Sequence, residues 1–264
     1  MTGNPTDMDS FATNLDVKHS LQLAIETTSR AGSVALFSND CPVRSVSLDP
    51  TRRSAATITT VIESVISDLR GPVSGSRGSE QRIQLISIAA GPGSFTGLRI
   101  GVTTAKTLSY ALHVRLVAVD SLAAIAAAQF DANPSIDEIL VALDAYRGQV
   151  FEGRFQRATL LPPIDSDLSG WSALPDDVRV RPMAEFQGDL NRDVSFQSGT
   201  LSIAGDAKPF GALADRRMEP ACDAIGVGLL GLLAAAKGDF VSPMELVPRY
   251  LKASSAEEKA AETG

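Results

Sequence analysis

Cysteine and histidine are nearly missing from this chain of 264 residues, which holds two of each. Cys41 and Cys222 lie far apart in the sequence, so neither a disulfide framework nor a CxxC zinc or redox motif can be built, and a reducing compartment fits. His19 and His113 form no HxxxH, HExxH or Cys/His cluster, so no metal site of the usual kind is expected. Positive charge is also short. With 24 Lys and Arg against 31 Asp and Glu, the net charge is −7. Such a chain lacks the broad positive field that supplies most non-specific affinity for phosphate backbones, which argues against tight nucleic-acid binding by this chain alone. Long apolar runs are absent too. The longest, Ala224 to Ala236, contains three glycines and falls short of the roughly 20 residues a bilayer demands. Residues 1–19 are polar, with no signal-peptide core, and are expected to form a disordered leader. These features predict a cytoplasmic protein with no membrane association.

Apolar residues nonetheless make up 44% of the chain and charged residues 21%, enough for a sizeable core. Leu21–Ile25, Ser33–Phe37 and Val43–Leu48 read as three short strands with tight connections, an antiparallel meander. A helix is predicted from the Ser54 cap to Leu69, with Ile58, Val61, Ile62, Val65, Ile66 and Leu69 at helical spacing. Ile83–Ala90 is apolar enough for a strand buried on both faces. It leads into a glycine-rich loop and a second helix, about Leu98–Leu112. Arg115–Val119 (strand), Ser121–Gln129 (helix) and Ile139–Leu143 (strand) complete a β-β-β-α-β-α-β-α-β order, an α/β layer on a mixed sheet. Four prolines interrupt any period from Phe155 to about Leu201. Ser202–Gly205 reads as a short strand, and Asp223–Lys237 as a helix closed by Gly238. No internal sequence repeat is visible. The expected division is a lobe over 20–128, a second over 129–252 with a variable insert at 156–200, and a frayed tail over 253–264.

The loop from Gly91 through Gly93, Ser94 and Thr96 to Gly97 stands where a strand opens into a helix, the usual place of a backbone-lined anion site. It lacks the Gly-Lys-Ser/Thr of a P-loop and the GxGxxG spacing of a dinucleotide fingerprint. A tight turn whose glycines supply unusual backbone angles is the other reading. Glu26, Thr27, Thr28 and Ser29, between two strands, could face a phosphate or form a polar hairpin turn. Ser94 as a nucleophile would need a base nearby, and two distant histidines make a triad improbable. On the second helix, Leu98, Val102, Ala105 and Leu112 share a face. Gly101, Thr104, Lys106 and Ser109 leave other positions small or weakly polar, which suits close helix contact.

The segments LAIETTSRAGSVALF, AAGPGSFTGLRIGVTTAKTLSYAL, VRLVAVDSLAAIA, ALDAYRGQVFEGRF and PRYLK together resemble the TsaB (YeaZ) family, whose members help make threonylcarbamoyladenosine in bacterial tRNA. The resemblance covers about residues 21–155 and returns at 245–252. It implies an actin-like ATPase (ASKHA) fold of two lobes, with mixed sheets flanked by helices. It also implies a non-catalytic scaffold that binds the paralogue TsaD and supports threonylcarbamoyl transfer to the adenosine next to the anticodon. TsaD holds its metal through a His-x-x-x-His pair; the equivalent stretch here, Val119 to Ala123, has no histidine. The resemblance places the partner interface on the first two helices, at Ile58, Val61, Ile62, Val65, Leu98, Val102, Ala105, Lys106, Ser109 and Leu112. Burying four or five such apolar side chains, at about 1.5–3 kcal/mol each, would hold a stable complex. A TsaE-like ATPase in the larger complex, tRNA contact only through that complex, and ATP or ADP bound only at the joint surface are further implications, with no cofactor firmly held by the chain alone. Without its partner, the same helices could pair two copies. Two positions depart from the family: Arg53-Ser54 where His-Ser or His-Thr is common, and Glu26 where Asp is common. The rival reading is an enzyme, an actin-like-fold ATPase or phosphotransferase using Glu26, Thr27, Thr28 and the Gly91–Gly97 loop; peptidase activity ranks last.

Overall fold

The computed structural model describes residues 15–29, 32–49, 54–67, 82–218 and 223–252. The expected leader, the frayed tail, Arg53 and Leu69 lie largely or wholly outside these residues, as does Cys222.

The first sheet is built from β1 (Leu21–Glu26), β2 (Ser33–Ser38), β3 (Cys41–Ser47), β4 (Ile83–Gly91) and β5 (Arg115–Asp120). Their spatial order is β3-β2-β1-β4-β5, with β1–β2 and β2–β3 antiparallel and β1–β4 and β4–β5 parallel. The predicted meander is therefore present, although β3 is an edge strand with mostly exposed residues. Alternation along the central strands assigns their two faces. Leu23, Ile25, Ile86 and Ile88 pack with Ile58, Ile62, Val65, Val102 and Ala105 of α1 (Ser54–Ile66) and α2 (Phe95–Leu112). Ala24, Phe37, Leu85 and Ala89 pack on the other side with α3 (Ser121–Ala132) and α8 (Asp223–Lys237).

Small residues explain that second side. A Cβ on Gly226 would lie 1.8 Å from the carbonyl oxygen of Ala124, and one on Gly228 would lie 2.1 Å from the Phe37 ring. The glycines that break the apolar run of α8 thus let it sink against both α3 and the sheet.

The second sheet contains β6 (Glu138–Asp144), β7 (Gln149–Gln156), β8 (Arg179–Pro182) and β9 (Ser202–Gly205), in the order β8-β7-β6-β9. β6–β7 and β7–β8 are antiparallel and β6–β9 is parallel. This is the β3-β2-β1-β4 pattern of the first sheet over again, a duplication of topology that the sequence conceals. α3 touches both sheets, and α8 lies on the first. A two-lobed α/β architecture with mixed sheets is therefore established.

Between Phe155 and Leu201 the chain is more regular than its sequence period implies. Besides β8 it forms α4 (Arg157–Leu160), α5 (Met183–Arg192) and α6 (Val194–Ser198). α5 buries only Phe186 and Leu190, a pair four residues apart that is too sparse to register as a helical stripe. α2 starts three residues earlier than predicted, because Ser94 caps it by accepting the N–H of Gly97. α7 (Ala207–Phe210) completes the small second core with Phe186, Phe196 and Phe210.

Candidate functional site

The two polar loops singled out from the sequence meet at the C-terminal edge of the first sheet, where they close on each other. The Glu26 side chain is buried within its own loop. Its Oε1 accepts the backbone N–H of Thr28, the Thr28 hydroxyl at 2.6 Å and the Ser29 N–H at 2.8 Å; its Oε2 accepts the Ser29 hydroxyl at 2.6 Å. Thr27 donates its hydroxyl to the Gly97 carbonyl at 2.8 Å, and Ser94 N–H reaches the Thr28 carbonyl at 3.0 Å. The glycines make this approach possible. A Cβ on Gly97 would lie 1.9 Å from the Thr27 carbonyl oxygen, and one on Gly93 would lie 2.6 Å from Thr28 Cβ. Gly91, with φ +122°, brings its backbone against the carbonyl of Arg249. Thr96 stays exposed in the first turn of α2.

The electrostatics point the same way. Asp223, at the start of α8, has its carboxyl held well above the usual range, first by burial and then by the charges of Glu26 and Asp206. A loop whose donors already serve an internal carboxylate disfavours a phosphate, and the raised Asp223 marks how crowded with carboxyls its surroundings are. The second lobe repeats the device: Asp144, ending β6, accepts the N–H of Tyr146 two residues on, at 2.9 Å, and pairs with Lys208 at 2.8 Å. Asp206 and Asp223 carried no motif in the sequence, and Asp144 was visible only within the family-like ALDAYRGQVFEGRF segment. The topological equivalence of β6 with β1 is what brings the three into view.

Neither histidine stands beside Ser94. Ser94 caps the start of α2 and His113 its end, about 28 Å apart at 1.5 Å per residue. His19 precedes β1 and pairs with Asp16 at 2.7 Å. Among the described residues, no three His, Cys, Asp or Glu gather so as to hold a metal. Asp120, in the histidine-free stretch from Val119 to Ala123, is wholly buried; it caps α3 by accepting the N–H groups of Leu122 and Ala123.

The residues assigned to a partner interface divide by exposure. Ile58, Ile62, Val65, Leu98, Val102, Ala105 and Ser109 are buried in the first lobe, Val61 and Lys106 are half-buried, and Leu112 is exposed. Ser109 donates to the Val114 carbonyl, and Lys106 to that of Leu246. The apolar stripes of α1 and α2 serve the sheet. Their outer surface is carried instead by Thr59, Thr60, Glu63, Thr103, Thr107 and Tyr110. Periodicity alone reports which residues share a face, not what that face meets.

The strongest convergence of motifs lies elsewhere. The C-terminal segment 246–252 runs along α2 as a strap, with Leu246 beside Lys106 and Tyr250 beside Arg99, and with Arg249 N–H on the Ala90 carbonyl at 2.7 Å. Arg249 Nη1 pairs with Asp120 Oδ2 at 2.7 Å, and its Nη2 reaches the Pro175 carbonyl at 3.1 Å. Lys252 bonds the carbonyl of Ala145. The Gly91–Gly97 loop, the β6–β7 turn and the PRYLK segment thereby border one cavity of about 520 Å³.

The profile of the TsaD family, tRNA N6-adenosine threonylcarbamoyltransferase, matches residues 51–166. The chain is 33% identical over 134 residues to the tRNA threonylcarbamoyladenosine biosynthesis protein TsaB of Bacillus subtilis, and 30% identical over 135 residues to that of Escherichia coli. Each alignment covers 51% of this chain and 54% of the relative, so the match spans about half the length of these relatives. Among solved structures, YeaZ from Pseudomonas aeruginosa superposes with a TM-score of 0.62 at 22% identity, over 88% of this chain and all of that one. That likeness establishes a shared fold.

Proposed function

Because the chain belongs to the TsaB (YeaZ) family, we propose that it serves in making the threonylcarbamoyladenosine of tRNA, as a non-catalytic subunit that binds a TsaD-like synthase and holds it in an active arrangement. The observation that carries the non-catalytic part is the closed Glu26 loop. Its hydroxyls and the N–H groups of Thr28 and Ser29 are engaged by a buried carboxylate or by the Gly97 carbonyl, which supports placing the chemistry on the partner. The outer surface of α1 and α2, rich in small threonines and bearing Tyr110 at 66% exposure, is the surface offered to that partner. A helix pair with short side chains permits close approach, and an exposed tyrosine supplies a rigid anchor. The same surface would pair two copies when the synthase is absent. ATP or ADP at the joint surface, a TsaE-like ATPase and tRNA join through the assembly, in the cytoplasm.

The test is light scattering on a sizing column, with the full chain alone and mixed with its organism's TsaD-like protein. A stable 1:1 or 2:2 complex, weakened at least tenfold by Tyr110→Glu with the fold intact by circular dichroism, is expected. Absence of a complex overturns the proposal. Saturable ATP hydrolysis by the chain alone, lost in Glu26→Ala, would replace it with the enzyme reading.

A further inference from the structure

The cavity beneath the strap has a chemistry that the scaffold role does not use. Among the described residues its lining includes four cationic residues, Arg99, Arg147, Lys252 and the Asp120-paired Arg249, and no carboxylate, in a chain whose net charge is −7. Three large aromatics stand at its mouth, each substantially exposed: Phe95 at 39%, Tyr250 at 44% and Tyr146 at 66%. Phe95 and Tyr250 lie with ring centroids 5.0 Å apart and planes 30° from parallel, and the Arg99 guanidinium stacks on Phe95 at 4.0 Å. Exposed aromatic faces next to guanidinium groups are the surface on which bases stack and phosphates are neutralised. A volume of about 520 Å³ lies within the usual range for a small-molecule site, roughly 300–1,000 Å³.

The backbone supplies a second, independent observation. Tyr146, Arg147 and Gly148 occupy the left-handed region in succession, with φ of +59°, +52° and +73°. Gly148 adopts it without penalty; a tyrosine and an arginine do not. Asn and Gly are the residues such positions prefer. The turn is held in this form by Tyr146 N–H on Asp144 Oδ1 at 2.9 Å, Ala145 N–H on the Gln149 carbonyl, and Gln149 N–H on the Tyr146 carbonyl. Two bulky residues are thus kept, against local preference, where they border the cavity. Strain maintained by surrounding hydrogen bonds at the rim of a pocket is a mark of a binding site.

We propose that this cavity binds a nucleotide unit, its base stacked among Tyr146, Tyr250 and Phe95 and its phosphate met by the Arg147 and Arg99 side chains. The unit can be a free nucleotide or an unpaired nucleotide of an RNA, two sources with one chemistry. The site is distinct from the closed Glu26 loop and from the outer surface of α1 and α2. Its test therefore stands apart from that of partner binding.

The experiment is isothermal titration of the full chain with AMP, with inorganic phosphate, and with a single-stranded RNA pentamer, against wild type and the double variant Tyr146→Asn/Arg147→Gly. Wild type is expected to bind AMP or the pentamer, whichever is the source, at least tenfold more tightly than phosphate. The double variant is expected to lose at least tenfold of that affinity while its Tm stays level or rises, since both new residues suit the left-handed turn. Loss of binding with a lowered Tm would mean that the turn serves the fold, and would overturn the proposal. So would equal affinity for phosphate and AMP, no binding of either nucleotide probe, or unchanged affinity in the variant.

Discussion

Replacing Arg249 with alanine should destabilise the protein by an amount that grows with pH, and the growth should vanish when Asp120 is also changed. Burial raises the Asp120 carboxyl to about 7 from an ordinary 3.8, opposed by the N–H groups of Ala123 and Leu122 and by the charge and hydrogen bond of Arg249. The folded value exceeds the unfolded one, so the protonated carboxyl's contribution is fully present below about pH 4 and is lost as pH rises to 7. Without Arg249 the folded value moves higher still. Below 7 both proteins hold the proton, and the variant loses only the bonds to Asp120 and Pro175, about 1–2 kcal/mol. Above 7 only the wild-type carboxylate ionises against its guanidinium, and the gap widens by at most about 1.4 kcal/mol per pH unit. At pH 8.5 that adds about 2 kcal/mol, for a total of about 3–4, in line with broken buried ion pairs. Urea unfolding of wild type, Arg249→Ala, Asp120→Asn and the double variant at pH 6 and 8.5 measures this. A penalty for Arg249→Ala that is equal at the two pH values would refute the reasoning, as would a pH-dependent penalty that persists in the Asp120→Asn background.

The glycine loop offers a steric test. Gly97→Ala places a Cβ 1.9 Å from the Thr27 carbonyl oxygen, and backbone cannot yield as a side chain can, so a loss of about 2–3 kcal/mol is expected by chemical denaturation. Gly228→Ala should lower stability by about 1–3 kcal/mol, because the new methyl would overlap the Phe37 ring; an unchanged midpoint would show that α8 sits less deeply. Val102→Glu should unfold the first lobe, since Val102 is buried against the sheet; a soluble variant with native circular dichroism would place that face outside the core. Thr107→Arg, at an exposed position of α2, should leave stability within about 0.5 kcal/mol while weakening capture by the TsaD-like partner in a pull-down.

The first lobe was legible in the sequence because each of its signals is local. A meander of short apolar strands, a buried parallel strand, and helices with full apolar stripes can be read within windows of a dozen residues. Ser94 shows the limit of such reading: it was visible as a polar residue in a conspicuous loop, but its role as a cap depends on the helix starting at Phe95. The second lobe was less legible because its small core leans on Phe186, Phe196 and Phe210, aromatics too widely spaced to set a period. The interface residues divide between core and surface for a related reason. A stripe such as Leu98, Val102 and Ala105 is the natural signature of a helix laid on a sheet, so the chain's own core takes most of the residues that the family resemblance assigned to a partner, while Val61, Lys106 and Leu112 reach the surface.

The closed loop and the open cavity are two consequences of one placement. The strap reaches the Gly91–Gly97 loop only because Gly91 admits the Arg249 carbonyl beside its backbone. The same Arg249 crosses to Asp120 at the head of α3, the helix that touches both sheets. Segments more than a hundred residues apart in sequence are fixed at one point, with Lys252 closing onto the β6–β7 turn through Ala145. Positive charge that is scarce along the whole chain is gathered there, on elements that converge from both lobes. The fold fills the loop after β1 with its own carboxylate and gathers arginines and partly exposed aromatic rings at the neighbouring cleft, so under the proposed site a closed and an open polar surface would lie within a few residues of α2.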